Sequence, residues 1–170
     1  MKTEQLTHNT TQLQSGAHNL VILCDGITSP ANAGSLMRLS DALGLKHLYF
    51  CNSNINFESS RFKRTSRSTE MYVSYTQTSD YDEILKNLKR ENYILIGLEL
   101  TNNSISLADF NIQADEKIAL VLGNERHGIS PTVLTKLNKS IYIPMYGKNS
   151  SMNVAQAAAI ATYTLINNRL

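Results

Sequence analysis

The chain has 170 residues, 42% of them hydrophobic and 18% charged, with 16 basic and 14 acidic side chains for a net charge of +2. That suits one domain with its own core and excludes a disordered, polycationic or strongly acidic chain. No apolar run approaches the ~18 residues of a membrane span, and the first residues lack the apolar centre of a secretion signal.

Residues 1–18 are polar with no steady apolar period and read as a short N-terminal arm; residues 19–170 read as one domain. Strands are expected at 20–25, 47–52, 71–76, 93–100, 118–123 and 140–145. Runs such as "IALVLG" are apolar at every position, the pattern of strands buried on both faces of a parallel sheet. Helices are expected between them. "SPANAGSLMRLSDALG" has a Ser-Pro start and a glycine stop. "DYDEILKNLKREN" begins acidic and ends basic, which suits the helix dipole. A shorter helix is expected over 131–138 and a last one from about 151 to 168. The alternation predicts an α/β domain, a mostly parallel sheet of about six strands flanked by helices. Ligands of such domains bind beyond the carboxyl ends of the strands. Three loops there carry unusual chemistry: "DGITSPANAGSLMR", "GNERHGIS" and "PMYGKNSSMNV".

Several common sites are absent. No two of the eight glycines are two residues apart, so GxGxxG cannot occur and a dinucleotide site is not expected. Gly123 and Gly128 have P-loop spacing, but Ile129 stands where the lysine is needed. The histidines do not cluster with other ligands, and no metal is expected. Cys24 and Cys51 are isolated and read as buried reduced thiols, hence a cytoplasmic protein.

Asn32-x-Gly34-x-x-x-Arg38, "LVLGNERHGIS" and "IPMYGKNSSMNVAQAAA", in that order and each after an expected strand, resemble the three signature motifs of the SpoU/TrmH branch of the SPOUT RNA methyltransferases. The resemblance spans roughly residues 19–167. It implies a homodimeric enzyme that moves a methyl group from S-adenosylmethionine to a ribose 2′-hydroxyl of tRNA or rRNA. It also implies a C-terminal deep trefoil knot, which general experience of folds argues against.

The resemblance assigns Arg38 to catalysis. A guanidinium holds its proton too tightly to be an easy base, so a fixed positive charge stabilising a developing alkoxide is the preferred role. Asn32 is expected to orient Arg38 or a dimer contact, and Glu125 to hold Arg38 or a partner-chain group. Ser151 and Asn153 would shape the donor loop, and either could cap the last helix. The methyl donor would be held by Leu98, Glu99, Gly123, Ile143, Met145 and Met152, largely through backbone groups and apolar walls. Met152 stands where most relatives have leucine. Small side chains at Ala155, Ala157, Ala158, Ala159 and Ala161 permit close packing of backbone and ligand, although alanine is also simply the best helix former.

"RFKRTSR" is the clear positive patch. Arg61, Lys63, Arg64 and Arg67 are candidate phosphate contacts, with Phe62 available for stacking. The short arm suggests a minimal form without a separate RNA-binding domain. Two alternatives remain open on the residues alone: a catalytically silent RNA-binding protein of the same fold, and a flavodoxin-like ligand-binding module.

Overall fold

The computed structural model describes residues 18–168. In chain order the elements are β1 (His18–Asp25), α1 (Pro30–Ala42), β2 (Leu45–Cys51), α2 (Ser60–Ser66), β3 (Tyr75–Thr78), α3 (Tyr81–Arg90), β4 (Tyr93–Leu98), β5 (Ile105–Ser106), β6 (Lys117–Leu122), α4 (Pro131–Leu134), β7 (Lys139–Tyr142) and α5 (Val154–Asn167). Short 3₁₀ turns cover Thr69–Met71 and Leu107–Asp109.

The seven strands form one sheet in the order β3-β2-β1-β6-β4-β7-β5. Every pairing is parallel. The all-apolar runs are explained by the layers on either side. Leu20, Ile22 and Cys24 of β1 and Ile118, Leu120 and Leu122 of β6 point to one face, against Ala33, Leu36 and Met37 of α1, Phe62 of α2, and Ala158, Ala161 and Leu165 of α5. Val21, Leu23, Ala119 and Val121 point to the other, against Tyr81, Leu85 and Leu88 of α3 and Val133 of α4. Each such leucine or isoleucine stabilises the fold by roughly 1.5–3 kcal/mol before entropic costs.

The chain runs outward from β1 through β2 to β3, then crosses to the other half of the sheet, and β6 later enters between β1 and β4. The strand order therefore reverses beside β1. In open α/β sheets such a switch point leaves a crevice above the carboxyl ends of the strands.

Local signals explain the helix starts. Ser29 accepts a hydrogen bond from the Asn32 N–H and Pro30 stands at the first helical position of α1. Asp80 caps α3, with Asp82 and Glu83 in its first turn and Lys89 and Arg90 in its last.

Several expectations are corrected. The sheet has seven strands rather than six, because Ile105–Ser106 adds a two-residue edge. The strand expected at 71–76 is Tyr75–Thr78, since the ladder with β2 begins at Leu48↔Tyr75 and Met71 lies in a 3₁₀ turn. The basic stretch, for which no helix is expected, forms the helix α2 with Arg67 as its C-cap. The helix expected over 131–138 is only Pro131–Leu134. The last helix starts at Val154, three residues later than expected, because Asn153 is its cap. The arm expected over 1–18 lies outside the described residues except for His18, which opens β1.

Candidate active site

Beyond the carboxyl ends of β4, β6 and β7 lies a cleft of about 550 Å³, inside the roughly 300–1,000 Å³ range of small-molecule sites. Leu98 and Leu122 form strand-end walls, and Ile143, Met145 and Met152 continue the apolar lining. Gly123, Glu99 and Ser151 line it as well, so the structure gathers all six residues expected at the donor in one place.

The loop after β6 is a tight turn. Asn124 and Gly128 exchange backbone hydrogen bonds of 2.9 Å in both directions. The Asn124 side-chain oxygen accepts from the N–H groups of Arg126 (2.9 Å) and His127 (3.2 Å), and its amide donates to the Gly26 carbonyl (2.6 Å). A side chain at Gly123 would stand 2.1 Å from the Gly128 carbonyl carbon and 2.2 Å from the Ile129 nitrogen. Only glycine lets the turn fold back over the strand end. Glu99 braces the same turn by accepting from the Ile129 N–H (3.1 Å), and Asp25, 4% exposed, accepts from Ser130 N–H (2.9 Å). Sequence reasoning misses Asn124. Its signal is an asparagine at the head of a turn, where its side chain can satisfy backbone N–H groups two and three residues on.

A second network joins the three motif loops. Glu125 accepts from the N–H groups of Thr28 (3.2 Å) and Ser29 (3.1 Å), from the Thr28 hydroxyl (3.3 Å) and from the Asn32 side-chain amide (2.9 Å). The Asn32 carbonyl oxygen accepts from the Asn153 amide (2.9 Å), and the Asn153 oxygen accepts from Ala155 N–H (2.9 Å) and Gln156 N–H (3.3 Å), capping α5. Burial pushes the Glu125 carboxyl up, but the hydrogen bonds from Asn32, its own backbone, Thr28 and Ser29 outweigh it and hold the group below its usual range. Asn32, Glu125, Ser151 and Asn153 all line the cleft.

Arg38 does not line it. It is exposed on α1 and has no hydrogen-bond or ion-pair partner among the described residues. Within the chain Asn32 and Glu125 bind each other and neither touches Arg38, which leaves a dimer or partner-chain contact as the other role expected of them. Six residues of helix separate Asn32 from Arg38, a step of roughly 240° around the axis and about 9 Å along it.

Arg61, Lys63, Arg64 and Arg67 are exposed on α2 and its C-cap, and Lys63 pairs with Glu58. Phe62 is fully buried, edge-on to Phe57, so the stacking role expected of it is excluded. The exposed aromatic ring nearest in sequence is Tyr72, 73% exposed. Among the described residues no group of three or more metal-ligating side chains comes together, and no helix is long and apolar enough to cross a membrane.

Residues 19–163 match the model of the SpoU rRNA Methylase family. The chain belongs to this family. It is 29% identical over 145 residues to the 23S rRNA (guanosine(2553)-2'-O)-methyltransferase RlmP of Bacillus subtilis, across 85% of this chain and 57% of that protein. The SpoU methyltransferase AviRb of Streptomyces viridochromogenes, solved in complex with the cofactor AdoMet, superposes with a TM-score of 0.77 at 26% identity, covering 86% of this chain and 58% of that one. A third structure, described as giving insight into 2-OH methylation of C/U34 on tRNA, superposes with a TM-score of 0.73 at 26% identity over 85% of this chain and 91% of its own. The chain thus spans a little over half the length of RlmP and AviRb, and nearly all of the third. The three loops that meet at the cleft all fall within the matched residues.

Proposed function

We propose that this chain transfers a methyl group from S-adenosylmethionine to a ribose 2′-hydroxyl of tRNA or rRNA, acting as a homodimer. The observation that carries this reading is the convergence of the three motif loops on one cleft, tied together by the Asn153–Asn32–Glu125 network. The named activities of the SpoU relatives and the AdoMet complex of AviRb support it.

The lining fits the donor. Leu98, Leu122, Ile143, Met145 and Met152 offer apolar walls for an adenine ring, and Glu99, Ser150 and Ser151 offer polar groups for its sugar and amino acid parts. Bound there, the donor supplies a methyl group already activated by a sulfonium leaving group. The protein then needs chiefly to align the ribose and favour its alkoxide. Arg38 is the group for the second task. Its place outside the cleft of its own chain fits a site completed by a second copy, with Arg38 of one chain serving the cleft of the other.

Ile160 and Tyr163, 43% and 61% exposed on α5, give that second copy an apolar face to cover. The knotted passage of the C-terminal segment belongs to the same proposal. Support comes from small side chains at Ala158 and Ala161 where α5 packs on α1, β4 and β6. Phosphate contacts fall to Arg61, Lys63, Arg64 and Arg67. Two buried free thiols, Cys24 and Cys51, support a reducing compartment such as the cytoplasm.

Titration calorimetry with S-adenosylhomocysteine, followed by methyl transfer to unmodified cellular RNA with nucleoside mass spectrometry, tests this reading. One ligand per chain and label in a 2′-O-methylnucleoside are expected. Label in a methylated base would reject the ribose chemistry. Ligand binding with no transfer to any RNA would favour a silent RNA-binding protein, and a flavin-bearing preparation without donor binding would favour the flavodoxin-like module.

A further inference from the structure

The cleft is lined by two acidic and two basic residues, and only the acids have side-chain partners among the described residues. Both acids are hydrogen-bonded within the chain, Glu99 half-buried and Glu125 exposed. Glu99 accepts from Ile129 and Leu100 N–H groups, and Glu125 from Thr28, Ser29 and Asn32. Arg126 and His127 are the only basic residues of the lining, and both are exposed. Neither side chain has a hydrogen-bond or ion-pair partner among the described residues. Their backbone is nevertheless fixed, because both N–H groups are held by Asn124 inside the Asn124–Gly128 bridge. A fixed turn thus presents two basic side chains without partners among the described residues at the mouth of a cleft whose two acids are already hydrogen-bonded.

Covalent chemistry says what should meet them. The 2′-carbon of an internal RNA nucleotide is bonded to the 3′-carbon, which carries the phosphodiester. A 2′-hydroxyl brought to the cleft therefore brings a phosphate to its rim within a few bond lengths. We infer that Arg126 and His127 grip the phosphodiester beside the target ribose and so fix the reacting hydroxyl over the cleft. The inference rests on the RNA methyltransferase reading and assigns these two residues a positioning role in it. Arginine suits the task through its paired donors, and a ring N–H of histidine adds a third. The other anion in the system is the carboxylate of the donor itself. The strand end at Leu122 is buried whereas Arg126 and His127 are exposed, so a phosphate at the rim is the better match to these two donors.

The test uses the full chain saturated with S-adenosylhomocysteine and fluorescently labelled bulk tRNA and rRNA fragments, with anisotropy measured across a salt series. The variants are Arg126→Ala, His127→Ala, their double, and Arg126→Lys. The double variant should bind S-adenosylhomocysteine within twofold of wild type. Its RNA affinity should fall by roughly tenfold, the size expected of a charge-assisted hydrogen bond. The slope of log affinity against log salt should flatten by about 0.7–0.9 for each phosphate that is no longer neutralised. Arg126→Lys should recover part of both. With transfer active, the defect should appear in KM for RNA more than in KM for the donor. Unchanged RNA affinity and slope in the double variant would overturn the inference. A matching drop in product affinity would also overturn it, by assigning the pair to the donor carboxylate. Wild type that binds no RNA at low salt would instead bring down the RNA reading, and the inference with it.

Discussion

Replacing Gly34 by alanine sets two physical effects against each other. Gly34 lies inside α1, where alanine is favoured over glycine by about 1 kcal/mol. A methyl group there would stand 2.1 Å from Thr65 Oγ1, 2.7 Å from the Phe62 carbonyl oxygen and 2.9 Å from the Ser66 nitrogen. The last two are backbone atoms of α2 and cannot rotate away. Thr65 could turn, but its hydroxyl donates to the carbonyls of Arg61 (3.1 Å) and Phe62 (3.0 Å), and a β-branched side chain has few other rotamers. Overpacking against such a wall costs typically 1–3 kcal/mol, and a broken hydrogen bond about 1 more. The net expectation for Gly34→Ala is a destabilisation of about 1–3 kcal/mol, a fall of roughly 2–4 °C in Tm for each. Urea unfolding followed by circular dichroism gives the number. A midpoint equal to or above that of wild type would mean the helices separate at no cost and the close approach is not what requires glycine. The double variant Gly34→Ala/Thr65→Ala sharpens the point. It relieves the nearest clash only, so recovery should be partial, and complete recovery would show that the backbone clashes cost nothing. On the proposed function, with Arg38 on α1 and the basic residues on α2, RNA methylation at 25 °C should also fall by more than the unfolded fraction explains.

Asn153 separates capping from cleft organisation. Asn153→Ala should cost about 1 kcal/mol through the missing cap, whereas Asn153→Asp keeps an acceptor for Ala155 and Gln156 and loses only the donation to Asn32; donor affinity unchanged in the aspartate variant would show that the Asn32 bond does not shape the site. Glu125 is held below its usual value of 4.5, so its folded-state contribution is present above about that pH and disappears as pH falls through the lower folded value. The stability gap between wild type and Glu125→Gln should therefore be flat near neutrality and close below about pH 4.5, and a gap that widens on acidification would contradict the assignment. Burial, then neighbouring Cys51 and Glu125, raises the Cys24 thiol, and burial, then Asp25, pushes Cys51 up to about 12. A thiol-exchange reagent at pH 8 should label neither until urea unfolds the protein, and rapid labelling of the native chain would refute their burial. Arg38→Ala should leave stability within about 0.5 kcal/mol and donor binding intact while abolishing methyl transfer; normal turnover in that variant would remove the electrostatic mechanism.

How far the sequence can be read depends on whether a segment's structure is set by its own residues or by distant ones. β1 and β6 are plain because both faces of a central parallel strand are covered, leaving Leu20–Cys24 and Ile118–Leu122 apolar throughout. α2 is hidden because seven residues with one buried large side chain, Phe62, carry no period, and what holds them helical is the fit against Gly34 more than twenty-five residues earlier. β3 is displaced because residues 71–76 have strand-favouring chemistry, while the ladder partner, Leu48, fixes the start at Tyr75. The cleft follows the same logic. That three loops should meet beyond the strand ends is readable from their order and from the motifs, but the bond between Asn32 and Asn153 spans 121 residues and no local spacing reports it. The separation of Arg38 from Asn32 is different, because it is local. Six residues along a helix cannot put two side chains on one face, so the motif spacing itself says that Asn32 and Arg38 serve different surfaces. With Asn32 committed to its own cleft through Glu125 and Asn153, Arg38 is left free to serve another molecule, and that spacing becomes an argument for a site shared between two chains.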